Sequence, residues 1–265
     1  MRWIRCATVL AVTLMVTACT TSPTGRQQLT LMSDGQLDQM GQEAFSQYQQ
    51  DLPPAGQAEQ RFAQCIAQAL VNQLPASERD KTWQIRVFES EQANAFALPG
   101  GYMGINTGLL QLAPDQDQIA SVIGHEIGHV LARHANERVS TQTSTQLALS
   151  VLSSVSGMQG PGGDQLMGAL GLGAQYGILL PFSRRHESEA DIIGLRLMAD
   201  AGFDPRASIT LWESMSAQGG ANPPAWMSTH PSHGQRIQGL QAEMPNAMAR
   251  FEQAQQAGRQ PNCRL

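Results

Sequence analysis

Two histidines four residues apart with a glutamate between them, His125-Glu126-Ile127-Gly128-His129, constrain this chain more than any other stretch. On an α-helix, residues i and i+4 share a face, so His125 and His129 can hold one metal ion between them. Glu126 follows the first of them and can reach a water at that ion without ligating it. Neutral imidazoles suit Zn²⁺ best among the common metals. Ile119, Val122, Ile123, Ile127, Val130 and Leu131 recur at helical spacing and predict a buried helix over 115–137. Gly124 and Gly128 each weaken such a helix by about 1 kcal/mol relative to alanine. That cost predicts close packing, and the neighbouring edge strands are the expected partner.

A catalytic zinc takes three protein ligands and keeps one position open. The extended pattern H-E-x-x-H-x-x-G-x-x-H does not supply the third, because Ala132 and Ala135 stand at its Gly and final His positions. His134 comes one residue early and points away at 100° per residue. A glutamate on a later helix is the other solution, and Arg185-His186-Glu187-Ser188-Glu189-Ala190-Asp191 offers one. Glu187 and Asp191 share a helix face, so Glu187 can bind the metal while Asp191 orients a ligand histidine from behind. Glu189 lies about 200° round the helix and faces elsewhere.

These residues resemble the HtpX/CAAX-prenyl-protease family of zinc metallopeptidases, metallopeptidase family forty-eight, and within it the periplasmic lipoprotein members. The resemblance runs from Leu29 to Arg236 and includes Ala93–Leu110, Tyr176–Arg184 and Ser228–Ile237. It implies an α+β, mainly helical gluzincin-type fold whose small sheet lines the active-site cleft with an edge strand. It implies one Zn²⁺ per chain and hydrolysis of internal peptide bonds in unfolded or misassembled envelope proteins. An exposed edge carries unpaired N–H and C=O groups, so an extended substrate can add itself as a strand regardless of its side chains. Asn94, Ala95 and Phe96 are the candidate substrate residues there. The resemblance also places His230, of Ser228-Thr229-His230-Pro231, facing the zinc. It can donate to the developing oxyanion, as can Arg236, or occupy the open metal position and hold the enzyme off. His233 is a bystander.

Met1 to Arg5 is a basic start, and Cys6 to Val16 is an apolar run too short to span a membrane, as in a secretory signal peptide. Val16-Thr17-Ala18-Cys19 resembles a bacterial lipobox, so residues 1–18 are expected to be removed and Cys19 lipidated. Thr20 in place of Asp implies an outer-membrane lipoprotein facing the periplasm. Residues 19–32 then form the lipidated N-terminus and tether, and 33–265 the metallopeptidase domain. Cys65 and Cys263 remain, and an even pair in an oxidising compartment predicts a disulfide.

Ser33-Asp34-Gly35-Gln36 looks like a capping box opening a helix, and Phe62, Ile66, Ala69 and Leu70 mark another. Trp83–Glu89, Asn94–Leu98 and Tyr102–Asn106 read as strands, the last two joined by Pro99-Gly100-Gly101. Ser140 to Gly173 reads as two helices around Gly160-Pro161-Gly162-Gly163, either a packed hairpin or a lid. Gly202 stops the Glu187 helix, Asp204-Pro205 opens the next, Gly219–Ser228 is a loop, and Asn246–Gln256 is the last helix.

The net charge is −5 and there is no basic run, which argues against nucleic acid as a partner. The expected partners are unfolded envelope polypeptides, the membrane through Cys19, and outer-membrane assembly factors or another periplasmic protease. A rival reading is a zinc-stabilised, chaperone-like binding module for outer-membrane polypeptides. Cell-wall amide hydrolysis also uses zinc but has no distinct motif here.

Overall fold

Ile85 and Val87 alternate with polar neighbours, and both are buried in a three-stranded sheet beside the His125 helix. The computed structural model describes residues 19–113, 115–156, 180–218, 225, 226, 230 and 234–265. The expected leader over 1–18, the breaker at 160–163 and His233 lie outside the described residues. The elements in order are β1 (Cys19–Thr21), β2 (Gln27–Leu29), α1 (Asp34–Asp51), α2 (Gln57–Val71), α3 (Ala76–Arg79), β3 (Gln84–Phe88), β4 (Ala95–Leu98) and β5 (Tyr102–Asn106). Then come α4 (Thr107–Leu112), α5 (Gln116–Leu131), α6 (His134–Ser156), α7 (Leu180–Ala201), α8 (Ala207–Gln218) and α9 (Gly234–Gln256). Mainly helical with small sheets, this is the α+β class that the sequence predicted. Among the described residues no helix is long and apolar enough to cross a membrane.

Contacts divide the chain into two compact units. One unit takes residues 1–33 and 133–185, the other 34–132 and 186–265. In the first, the stretch expected to be a tether is a hairpin instead: β1 pairs antiparallel with β2, with Thr20 opposite Gln28. Hydrogen bonding to α6 fixes it. Arg26 makes a bidentate pair with the buried Glu137 at 2.7 Å, and Ser140 and Asn136 accept the backbone N–H groups of Leu31 and Met32. Polar side chains 104 to 111 residues away supply these bonds, which is why local composition suggested only a flexible segment.

The second unit holds the sheet, in the order β3-β5-β4. β3 runs parallel to β5, and β4 runs antiparallel to it, with Ala95 opposite Ile105. Gly100 and Gly101 both have positive φ, +82° and +81°, and make the tight connection between β4 and β5. β4 is therefore an edge strand. Phe96 on it stacks on Tyr48 of α1 at 4.1 Å, so its ring is used in packing. Phe62, Ile66 and Leu70 of α2 and Ile119 and Ile123 of α5 fill one core with β3 and β5.

The Asp115 carboxylate caps α5, accepting from the N–H groups of Asp117 and Gln118. The helix ends at Leu131, earlier than the expected Glu137, because Arg133 turns the chain with φ +55°. α7 begins before the expected position, with residues 181–184 already helical. Gly202 ends α7 as expected: its own N–H and that of Phe203 bond back to Ala199 and Met198. α9 begins at Gly234 and carries Pro245 inside it, longer than the expected 246–256, because buried Arg236, Leu240 and Ala247 give it a continuous inner face. The sulfurs of Cys65 and Cys263 are bonded and join α2 to the segment after α9.

The two α5 glycines pack against α7, not against the edge strands. A Cβ on Gly124 would lie 3.0 Å from the Gly194 oxygen, and one on Gly128 would lie 2.8 Å from the Ala190 oxygen. A Cβ on Gly194 would come within 2.6 Å of the His125 nitrogen and 2.7 Å of the Gly124 carbonyl carbon. These are backbone atoms and cannot swing aside. Gly194→Ala should therefore destabilise by about 2–3 kcal/mol through overpacking, although alanine gains about 1 kcal/mol of helix propensity. Chemical denaturation reads the outcome. An unchanged or raised midpoint would show that the helices can separate.

Candidate metal centre

The close crossing brings one face of α7 onto the ligand face of α5. His125 Nε2 lies 3.0 Å from His129 Nε2 and 3.3 Å from Glu187 Oε2, and His129 Nε2 lies 3.5 Å from Glu187 Oε1. A fourth atom joins them from outside both helices. His230 Nδ1 is 3.3 Å from His125 Nε2 and 3.0 Å from Glu187 Oε2. With one ligand atom from each residue, these side chains converge within 4.8 Å of one another, close enough to share one metal ion with bonds of about 2.0–2.1 Å.

The chemistry of the donors also fits. Glu187 Oε1 is buried and accepts no hydrogen bond, a costly state for a carboxylate oxygen unless a cation faces it. Three carboxylates are buried at the site, Glu126, Glu187 and Asp191, and the buried guanidinium of Arg236 pairs with the last two. A dication balances that set.

Asp191 sits behind the ligands. Its Oδ1 is 3.0 Å from His125 Nδ1, and this bond leaves Nε2 of the same ring for a metal. Burial pushes the Asp191 carboxyl up, but the Arg236 charge and hydrogen bonds hold it below its ordinary value. Burial likewise works against ionised Glu187, and hydrogen bonds from His125 and His230 outweigh it and lower its pKa. In the metal-free chain, burial would lower the His125 pKa, but its bonds to Asp191 and Glu187 hold it up at about 9.

Arg236 is not where a substrate can meet it. It is buried, its Nε and Nη2 bond both oxygens of Asp191 at 2.7 and 2.6 Å, and its Nη1 lies 3.1 Å from Glu187 Oε2. Its role as an oxyanion donor or substrate contact is therefore corrected: the same guanidinium is spent on the two α7 carboxylates. Ala95 is also buried, and its backbone is paired with β5. Asn94 gives its backbone carbonyl to Asn106, while its side-chain Oδ1 is buried without a partner. His134 and Glu189 are buried but stand outside the four-residue cluster.

Two residues escaped sequence reasoning. Trp226 donates its indole N–H to Glu126 Oε1 at 3.0 Å and stacks on Trp212 of α8, with centroids 5.1 Å apart. The Arg236 guanidinium lies 4.2 Å over the Trp212 ring. An isolated tryptophan just after Pro223-Pro224 in the sequence carries no periodic signal, so nothing in the sequence pointed to it.

A two-histidine, one-glutamate cluster, with a second glutamate outside the ligand set next to its first histidine and an edge strand nearby, is the arrangement of a gluzincin-type metallopeptidase. Residues 57–244 match the family described as Peptidase family M48. The chain belongs to that family, whose members use zinc.

The chain is 36% identical over 175 residues to the mitochondrial metalloendopeptidase OMA1 of Schizosaccharomyces pombe, covering 65% of this chain and 50% of that protein. It is 32% identical to OMA1 of Danio rerio over 241 residues, 85% of this chain and 50% of the relative. The beta-barrel assembly-enhancing protease of Escherichia coli is 33% identical over 153 residues, 55% of this chain and 31% of that protein. The chain thus spans half or less of the length of these relatives. The expected location, a bacterial outer membrane facing the periplasm, is overturned by the match to mitochondrial enzymes over up to 85% of the chain. The lipobox-like residues 16–19 are too short a pattern to set a compartment against a match of that extent.

In the metal-free chain the raised His125 pKa adds stability below pH 6.5, the ordinary value, and that stability is lost as the pH rises through about 9. Zinc must displace the same proton. Calorimetry at pH 7.5 in buffers of different ionisation enthalpy should therefore show release of about one proton per zinc, with affinity rising with pH. Heats independent of buffer would contradict this.

Proposed function

We propose that this chain is a zinc-dependent endopeptidase that hydrolyses internal peptide bonds of unfolded or misassembled polypeptides. The observation that carries the reading is the four-residue ligand cluster beside an unligated glutamate. His125, His129 and Glu187 hold the zinc. Zinc supplies Lewis acidity, which polarises a peptide carbonyl and makes water nucleophilic near neutral pH. Glu126 takes the proton from the attacking water and passes it to the leaving amine. β4 supports substrate binding, because the N–H and C=O groups on its outer edge can pair with an extended chain of any sequence. Asp191 keeps the His125 ring oriented, and Arg236 keeps Asp191 ionised. His230 Nδ1, beside His125 Nε2 and Glu187 Oε2, would be a fourth ligand to a bound zinc, or would donate to the oxyanion with its ring turned aside.

A fourth ligand would also favour a second reading, in which the zinc is structural and the chain only holds unfolded polypeptides. Cleavage of casein by the zinc-loaded protein separates the two. Glu126→Gln should retain zinc and lose cleavage. His125→Ala should lose zinc. His230→Ala should retain zinc and cleave at least as fast as the wild type if the fourth ligand limits the rate. Failure of both the wild type and His230→Ala to cut casein, with zinc bound, would favour the holding role.

A further inference from the structure

We infer that Trp226 is a positioning residue for Glu126, its indole N–H fixing one carboxylate oxygen so that the other is left to take the proton. The inference rests on the reading of Glu126 as general base and adds a residue to it. The indole is a donor only, so the 3.0 Å contact has one possible direction, Nε1–H to Glu126 Oε1. Both side chains are buried, at 2% and 3% exposure, where a hydrogen bond to a carboxylate is strengthened by the weak dielectric. Among the described residues no hydrogen bond reaches Glu126 Oε2. A glutamate has three side-chain torsions, and a base that wanders loses rate through orientation rather than through basicity.

Trp226 is itself anchored from other parts of the unit. Its ring stacks on Trp212, and its backbone N–H donates to the Ala93 carbonyl at 2.9 Å, two residues before β4. The residue that holds the base is thus tied to the lead-in of the strand proposed to hold the substrate. The indole is the nearer group to that oxygen, since His230 Nε2 lies 3.4 Å from it.

The test compares Trp226→Phe, which keeps an aromatic ring without the N–H, with 3-benzothienylalanine at position 226, which keeps the bicyclic shape and replaces the N–H by sulfur. Glu126→Gln is assayed in parallel on a fluorogenic peptide, and zinc content is measured for each. Both position-226 variants should bind one zinc and lose about ten-fold or more in kcat with KM within about two-fold. Wild-type kcat in the benzothienyl protein overturns the inference even if Trp226→Phe is slow or unfolded, because packing alone then explains the tryptophan. A raised KM with unchanged kcat overturns it too. An inactive Glu126→Gln beside a fully active benzothienyl protein leaves the base assignment standing and removes only Trp226. An active Glu126→Gln removes both.

Discussion

Helices α5 and α7 touch backbone to backbone, and the metal centre exists because they do. Gly124 faces Gly194 and Gly128 faces Ala190, with no room for a further carbon at three of these four positions. Each glycine in a helix costs about 1 kcal/mol, so the chain gives up local stability to bring the two axes together. What it gains is reach. Glu187 and Asp191 are short side chains one turn apart, and only at this separation can one meet His125 and His129 while the other meets the far nitrogen of His125.

The second constraint is charge. Glu126, Glu187 and Asp191 are all nearly inaccessible to water, and Arg236 alone among the buried groups is a permanent cation. Burying a carboxylate without compensation is costly, so the site is organised as layers of compensation. Arg236 neutralises Asp191, and Asp191 orients His125. In the metal-free chain a proton on His125 partly replaces the missing charge, which is why its pKa rises to about 9 in spite of burial. A zinc bound here would displace the His125 proton, so stability and metal affinity should change with pH in linked ways.

Trp226 and His230 lie close to the candidate site without belonging to α5 or α7. The His230 N–H donates to the Trp226 carbonyl at 2.8 Å, which ties the two residues together. The His230 ring meets His125 and Glu187, and the Trp226 ring meets Glu126. Arg236 reaches the same pair through the His230 carbonyl at 3.3 Å and stacks over Trp212 beneath Trp226. Trp226 and His230 thus link the metal-ligating cluster, Glu126 and the lead-in to β4.

The three ligands on helices could be read from the chain because helical spacing is local. Four residues make about one turn, so His125 with His129, and Glu187 with Asp191, must share faces wherever those helices go. The apolar spacing of α5, the turn at Gly100-Gly101 and the stop at Gly202 are legible for the same reason: each depends on residues within one turn of itself. Other features are set by contacts between residues far apart. Trp226 meets Glu126 across 100 positions, Arg236 meets Asp191 across 45, and the hairpin at 19–29 leans on α6 across more than 100. The partner of the two α5 glycines is of this kind, and the edge strands were the wrong expectation. So is the true position of Arg236, which a loop-proximal reading put at the substrate. Periodicity fixes which side of a helix a residue occupies, but only the crossing of one helix over another decides what it meets there.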